Sequence, residues 1–224
     1  MGDAQPRTVH ILITGFGPFT VRRGQDIDNS NSVPVNPSSE LIRFLPDTLA
    51  LPSGTMIQLT RVPDLHVSYE GLKKDVERLY AERGWDAVIH CGAASRRPQI
   101  CVELLARRFA YQLPDTDGNF ASAQEVYPAA EDTKERYDTL FDGSALVAQL
   151  EAQGWKGRVR TSDNAGLYLC EWTYYIGLRQ AALKGGHTKV LFLHVPVEGG
   201  ELEWTHEGMA SCVEAVVKWC AGQV

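Results

Sequence analysis

A surface that binds nucleic acid needs a stripe of positive charge, and this sequence has none. The arginine pairs Arg22-Arg23, Arg96-Arg97 and Arg107-Arg108 are short and scattered, and the formal net charge is −6 with a pI of about 5.5. That balance leaves no electrostatic footprint for DNA or RNA. Long apolar runs are missing too. Nothing approaches the roughly 20 apolar residues of a membrane span. Residues 1–7 are polar and the apolar run after them stops at Ile13, which is too little for a secretory leader. The expectation is a cytoplasmic protein with neither a nucleic-acid nor a membrane partner. No C-x-x-C pair occurs, so a structural zinc site is not expected. The five cysteines are an odd number without a leader, which argues against a disulfide framework and for free thiols. Internal repeats, low-complexity tracts and a Walker motif are all absent, and no metal or cofactor is implied.

What is present is ordinary for one globular domain of 224 residues, 44% of them hydrophobic and 22% charged. Short apolar runs alternate with longer segments of helical period. Strands are expected at 9–14, 56–62, 87–91, 158–162 and 188–194. Helices are expected at 37–44, 68–83, 136–153, 167–183 and 201–221, the first with Asn36 as N-cap and Pro37 at the first helical position. Residues 99–111 fit strand or helix and lean to strand. Residues 20–34 are polar and rich in Asn, Ser and Asp, and read as a loop insertion continuing to about residue 36. The order predicts an α/β fold, a mostly parallel twisted sheet with helices on both faces. Ligands then sit at the carboxyl ends of the strands. That rule selects Thr14, His90, Cys91, Ser162 and His194.

Cys170 stands near the start of the helix that follows Asn164-Ala165-Gly166. Unpaired N–H groups and the helix dipole there favour a thiolate and lower its pKa. The alternative is a buried cysteine on an apolar helix face beside Leu169 and Trp172. His194 ends the run Lys189-Val190-Leu191-Phe192-Leu193. It is either the base that activates a thiol or a satisfied core histidine. His90 is a rival at a neighbouring strand end, but adjacent Cys91 points to the opposite face of the strand. Glu103, in the apolar stretch 100–106, needs a partner if buried. Arg107 or Arg108 would make it structural, and His194 would make it the orienting member of a triad. Gly15-Phe16-Gly17-Pro18-Phe19 is no dinucleotide fingerprint, because no helix opens there. Its phenylalanines suit a flat uncharged ring, or fold back on the core.

Four blocks taken in order resemble pyroglutamyl peptidase I, the C15 type of cysteine peptidase. They are Ile13-Thr14-Gly15-Phe16-Gly17-Pro18-Phe19 with Val35-Asn36-Pro37-Ser38; Gly92 through Glu103; Asn164-Ala165-Gly166-Leu167-Tyr168-Leu169-Cys170 with Glu171-Trp172; and Phe192-Leu193-His194-Val195-Pro196. The resemblance implies a three-layer α/β/α sandwich that hydrolyses the amide after an N-terminal pyroglutamyl residue without metal or cofactor. It implies Cys170 as nucleophile, His194 as general base and Glu103 as orienting acid. Phe16 and Phe19 would hold the pyrrolidone ring, with Tyr168 and Leu169 lining the pocket, and N–H groups from Gly166 to Cys170 would hold the oxyanion. Two departures bear on substrate choice. Ala93 replaces a glutamine that bacterial members carry, and an arginine that some members place just past the glutamate has no obvious counterpart. The alternatives are a related amidase of altered specificity, a non-catalytic binding module, and a phosphorylase on a similar sheet, which lacks a phosphate-binding arginine cluster here. The sequence leaves oligomeric state open.

Overall fold

The computed structural model describes residues 7–23 and 26–224. Its centre is a seven-stranded sheet. In chain order the strands of that sheet are β1 (Thr8–Phe16), β4 (Thr48–Ala50), β5 (Met56–Leu65), β6 (Ala87–Ala93), β7 (Ile100–Glu103), β10 (Val159–Ser162) and β11 (Lys189–Val195). The spatial order is β10-β7-β11-β6-β1-β5-β4. The four central strands β11, β6, β1 and β5 are parallel. At one side β7 runs antiparallel to β11 and carries β10 parallel to itself; at the other, β4 is antiparallel to β5.

Both faces are covered, which is why the strands read as near-continuous apolar runs. Ile11, Ile13, Ile89, Leu191 and Leu193 pack with α1 (Pro37–Arg43), α3 (Gly143–Leu150) and α5 (His206–Ala221). Leu12, Val88, Val190 and Phe192 point the other way, onto α2 (Tyr69–Glu82) and α4 (Leu169–Leu183). This is the expected three-layer sandwich. Among the described residues no helix is long and apolar enough to cross a membrane.

Local chemistry sets the helix starts. Asn36 Oδ1 accepts from Ser38 N–H at 3.1 Å ahead of Pro37, and Ser68 Oγ accepts from Gly71 N–H at 3.2 Å. Three expected boundaries move. The helix expected from 136 begins at Gly143, capped by Asp142 Oδ1 on Ala145 N–H at 3.0 Å. Residues Arg136–Asp138 form β9, paired antiparallel with β8 (Leu105–Arg107). The last helix begins at His206, not 201, because Thr205 Oγ1 caps Gly208 N–H at 2.9 Å and Gly199 and Gly200 make a left-handed turn before it. The helix expected from 167 begins at Leu169, because Leu167 at φ 50° is left-handed and cannot continue α-helical backbone. Residues 20–34, read as loop, contain a ladder of β2 (Phe19–Arg23) and β3 (Asp26–Val33). A two-stranded ladder forms from backbone alone and needs no apolar face, so it leaves no period-two pattern to read.

The bend at the end of β1 depends on close backbone packing. A Cβ at Gly15 would lie 2.7 Å from the Ser38 carbonyl oxygen and 2.9 Å from Ile42 Cδ1. Helix α1 therefore sits directly on this glycine. Gly15→Ala is expected to destabilise the protein by about 1–3 kcal/mol through overpacking. Urea unfolding checks this, and an unchanged midpoint would show that α1 is not seated there.

Candidate active site

Glu103 closes β7 and has no exposure to solvent. A buried carboxylate must be bonded or it will not stay ionised. Two partners meet at its Oε1: His194 Nδ1 at 2.7 Å and Arg97 Nη1 at 2.5 Å. The β7–β11 register explains the first contact, since Glu103 lies opposite Phe192 and Cys101 opposite His194. Burial works to raise the Glu103 pKa; the bond and charge of His194, the Ser162 hydroxyl and the Arg97 charge outweigh it and hold it below the usual carboxylate value. An ionised Glu103 accepts from Nδ1–H, which leaves Nε2 of a neutral His194 as the free acceptor. Arg107 and Arg108, the structural partners open from sequence, are engaged elsewhere. Arg107 binds Glu171 through Nε at 2.7 Å and Nη2 at 3.0 Å, and Arg108 binds Glu125.

Cys170 is the second residue of α4. Helical bonding begins with Trp172 N–H to Tyr168 O at 2.9 Å. Leu169, Cys170 and Glu171 therefore keep N–H groups with no acceptor among the described residues, as first-turn donors do. Gly166 and Leu167 do not. Gly166 N–H donates to Asn164 Oδ1 at 3.1 Å and Leu167 N–H to Glu171 Oε2 at 2.8 Å. The donors available to an anion thus lie inside the helix and not in the loop. Tyr168 occupies the cap position without a side-chain cap and turns its hydroxyl to Pro114 O at 2.9 Å.

The thiol faces the sheet at Gly92, where a Cβ would lie 2.7 Å from Cys170 Sγ and 2.9 Å from Phe192 Cζ. Gly92 is the β6 partner of His194 on β11. Neighbouring strands lie about 4.8 Å apart, so the sulfur sits one strand from the imidazole's own backbone. Among the described residues Cys170 Sγ makes no hydrogen bond to His194. Such contacts are commonly loose in unliganded sites. The expected lowering of the Cys170 pKa is not found. Burial pushes the thiol up to about 12, with the Glu103 charge adding to it, Arg97 opposing and Glu171 adding further.

The other expected site residues separate into two depths. Phe16 is 2% exposed and Leu169 1% exposed, both inside the apolar layer under α4, with the Phe16 ring 6.4 Å from that of Phe192. Phe19 and Tyr168 are half-buried at the rim of the same layer, as Cys170 is. Phe19 also borders a cavity of about 230 Å³ with Leu65, Val67 and Thr116. His90, the rival base, is sealed inside. Its Nδ1 lies 2.7 Å from Thr14 Oγ1, and burial lowers its pKa to about 3, so it stays neutral. Cys91 packs on the opposite face, as strand alternation requires. A larger cavity, about 770 Å³, opens between β9, the end of α4 and the start of β11 and contains none of these groups. Among the described residues no cluster of three or more His, Cys, Asp or Glu is arranged to hold a metal ion.

Gly92, Arg97, Asn164 and Glu171 were not singled out from sequence as site residues. Two signals are present in the sequence: an arginine six residues before a glutamate in an apolar stretch, and a glutamate directly after the cysteine.

Comparison with known proteins shows the family of this chain. The family model for pyroglutamyl peptidase matches residues 9–218. A pyrrolidone-carboxylate peptidase of Thermococcus onnurineus is 32% identical over 210 residues, 93% of each chain. Human pyroglutamyl-peptidase 1 is 27% identical over 195 residues, 87% of this chain and 82% of that one. The crystal structure of pyroglutamyl peptidase I from Bacillus amyloliquefaciens shares the fold, with a TM-score of 0.76 at 20% identity, covering 96% of this chain and 97% of the other. The chain belongs to the pyroglutamyl peptidase family.

The contact at Gly92 makes a prediction. Gly92→Ala is expected to displace the sulfur and to lower kcat by about 100-fold, the scale of an ångström-level misplacement. Steady-state kinetics with thermal melting check it. A folded Gly92→Ala protein with wild-type kcat would show that the sulfur does not need this seat.

Proposed function

We propose that this family member removes an N-terminal pyroglutamyl residue from peptides, with Cys170 as nucleophile, His194 as general base and Glu103 as orienting acid. The observation that carries the assignment of roles is the convergence of the three around the carboxyl-terminal half of β11: Glu103 bonded to Nδ1 of His194, and Cys170 seated over the strand partner of His194. Nε2 of His194 takes the thiol proton as sulfur attacks the pyroglutamyl carbonyl carbon. The unpaired N–H groups of Leu169, Cys170 and Glu171 supply the oxyanion donors in this reading. Nε2–H then protonates the leaving amine, giving a thioester and a free peptide. Water attacks the thioester with His194 again as base, and pyroglutamate leaves with the thiol restored. Glu103 keeps the imidazole in the required tautomer and stabilises its cationic form.

The lactam is compact and uncharged, which suits an apolar frame with few polar contacts. In this reading Phe19 and Tyr168, half-buried at the rim, flank it, and the buried Phe16 and Leu169 back the wall behind. No acidic or basic specificity group is needed for such a ring; with Ala93 where bacterial members carry glutamine, its polar recognition comes from elsewhere, such as backbone groups.

The direct test is release of a fluorogenic amine from a pyroglutamyl amide beside a prolyl amide. Selective release that disappears in Cys170→Ala, with the fold retained, is expected. Release from the prolyl amide at equal rate would instead favour an amidase of altered specificity, and full activity in Cys170→Ala would refute the nucleophile. Glu103→Gln, which cannot hold the imidazolium, is expected to lower kcat by at least about 100-fold. The pH dependence follows from the raised thiol pKa. An acid whose pKa is raised stays protonated at neutral pH, so proton transfer accompanies attack. Alkylation of Cys170 by iodoacetamide, measured by mass spectrometry, is expected to keep rising through the alkaline range. A plateau near neutrality would show a standing thiolate–imidazolium pair.

A further inference from the structure

Glu103 and His194 belong to neighbouring strands, and the ladder between them fixes their spacing. Cys170 belongs to a helix and has no such ladder. The loop before it, from Asp163 to Tyr168, carries left-handed residues at Gly166 (φ 101°) and Leu167 (φ 50°). The latter is a costly conformation for a branched side chain. Something must hold this loop against the sheet edge.

We infer that Arg97, Asn164 and Arg107 form a positioning bracket that sets the Cys170 helix in register with the Glu103–His194 pair. Asn164 receives one arginine on each of its two oxygens. Arg97 Nη2 donates to the Asn164 carbonyl oxygen at 2.6 Å, while its Nη1 holds Glu103 Oε1 at 2.5 Å and Ser162 Oγ at 3.3 Å. Arg107 Nη2 donates to Asn164 Oδ1 at 2.8 Å and to Glu171 Oε2 at 3.0 Å. Glu171 directly follows Cys170 and is fully buried. Its Oε1 accepts from Arg107 Nε and from the Arg107 backbone N–H at 3.0 Å, and its Oε2 also accepts from Leu167 N–H. The connection therefore runs from Glu103 through Arg97, Asn164 and Arg107 to Glu171.

The charges support this arrangement. Two buried carboxylates face two guanidinium groups, each of which forks between a carboxylate and Asn164. Lysine could not make that fork, because a point charge does not span two acceptors in fixed geometry. The Asn164 side chain uses only its oxygen in these contacts, accepting from Arg107 and from Gly166 N–H. A carboxylate at this position would accept both bonds as well. Among the described residues none of the three hydrogen-bonds Cys170 or His194; they are positioning residues that act through Glu103 and Glu171, with the Arg97 charge also felt at the thiol.

The inference rests on the proposed reaction, and its test separates the two. Asn164→Ala and Asn164→Asp are compared with wild type and Cys170→Ala for kcat, KM, melting temperature and the rate of Cys170 alkylation. Asn164→Ala is expected to lose about 10- to 100-fold in kcat, with KM changed much less and an altered alkylation rate. Asn164→Asp is expected to recover most of the loss. Wild-type kcat in Asn164→Ala, or an Asn164→Asp protein as poor as Asn164→Ala, would overturn the bracket. Should Asn164→Ala not fold, Arg107→Lys serves: a loss of kcat with Glu171 still paired is expected, and unchanged kcat would contradict the inference. A wild-type protein inert toward pyroglutamyl amides would refute the reaction instead, while the alkylation rates would still report on the bracket.

Discussion

A carboxylate with no access to water must find its charge partners in the protein, and Glu103 is such a carboxylate. Two side chains answer that need at Oε1, while Oε2 has no hydrogen-bond partner among the described residues. His194 meets it from β11 and Arg97 from the loop after β6, both on one oxygen. Removing either would leave a buried charge short of a partner, a cost of several kcal/mol in comparable settings. The same bonds fix the imidazole tautomer and tie the helix-leading loop to the sheet. One electrostatic requirement thereby orders three segments distant in sequence.

The topology that makes this possible departs from a simple alternation of strand and helix. The link from β6 to β7 covers residues 94–99 only, and a parallel crossover needs a dozen or more. β7 therefore turns antiparallel, and β11 fills the place between β7 and β6. Glu103 reaches the imidazole from a strand running against its neighbour. A filter that looks for polar residues at the carboxyl ends of strands finds His194 and passes over Glu103, because the stretch 99–111 fits strand or helix and shows no strand end at residue 103.

Much of the architecture is legible in the residues. The buried strands, the α2 period and the Asn36-Pro37 cap all appear where the pattern places them, because burial and capping act locally. The resemblance of four blocks carries the family and points to Cys170, His194 and Glu103, which the fold brings together around the carboxyl-terminal half of β11. What is less visible depends on contacts between distant segments. No period in the sequence shows that Gly92 leaves room for the sulfur of Cys170, or that Arg97 rather than Arg107 serves Glu103. The thiol pKa is a further case. A helix N-terminus alone argues for a thiolate, and only the packed structure shows the burial and the two carboxylates that act in the opposite direction. The shifted start of α4 belongs with these, since the left-handed Leu167 before it donates its N–H to Glu171, which Arg107 holds.

The claim that these parts form one acyl-transfer site is tested most directly by trapping the intermediate. Wild-type protein would be mixed with an activated pyroglutamyl ester, quenched in acid within the first turnover, digested and analysed by mass spectrometry. The account predicts one pyroglutamyl group on the peptide that contains Cys170, absent from Cys170→Ser in thioester form. Turnover without an adduct, or an adduct confined to another residue such as Cys101, would contradict it.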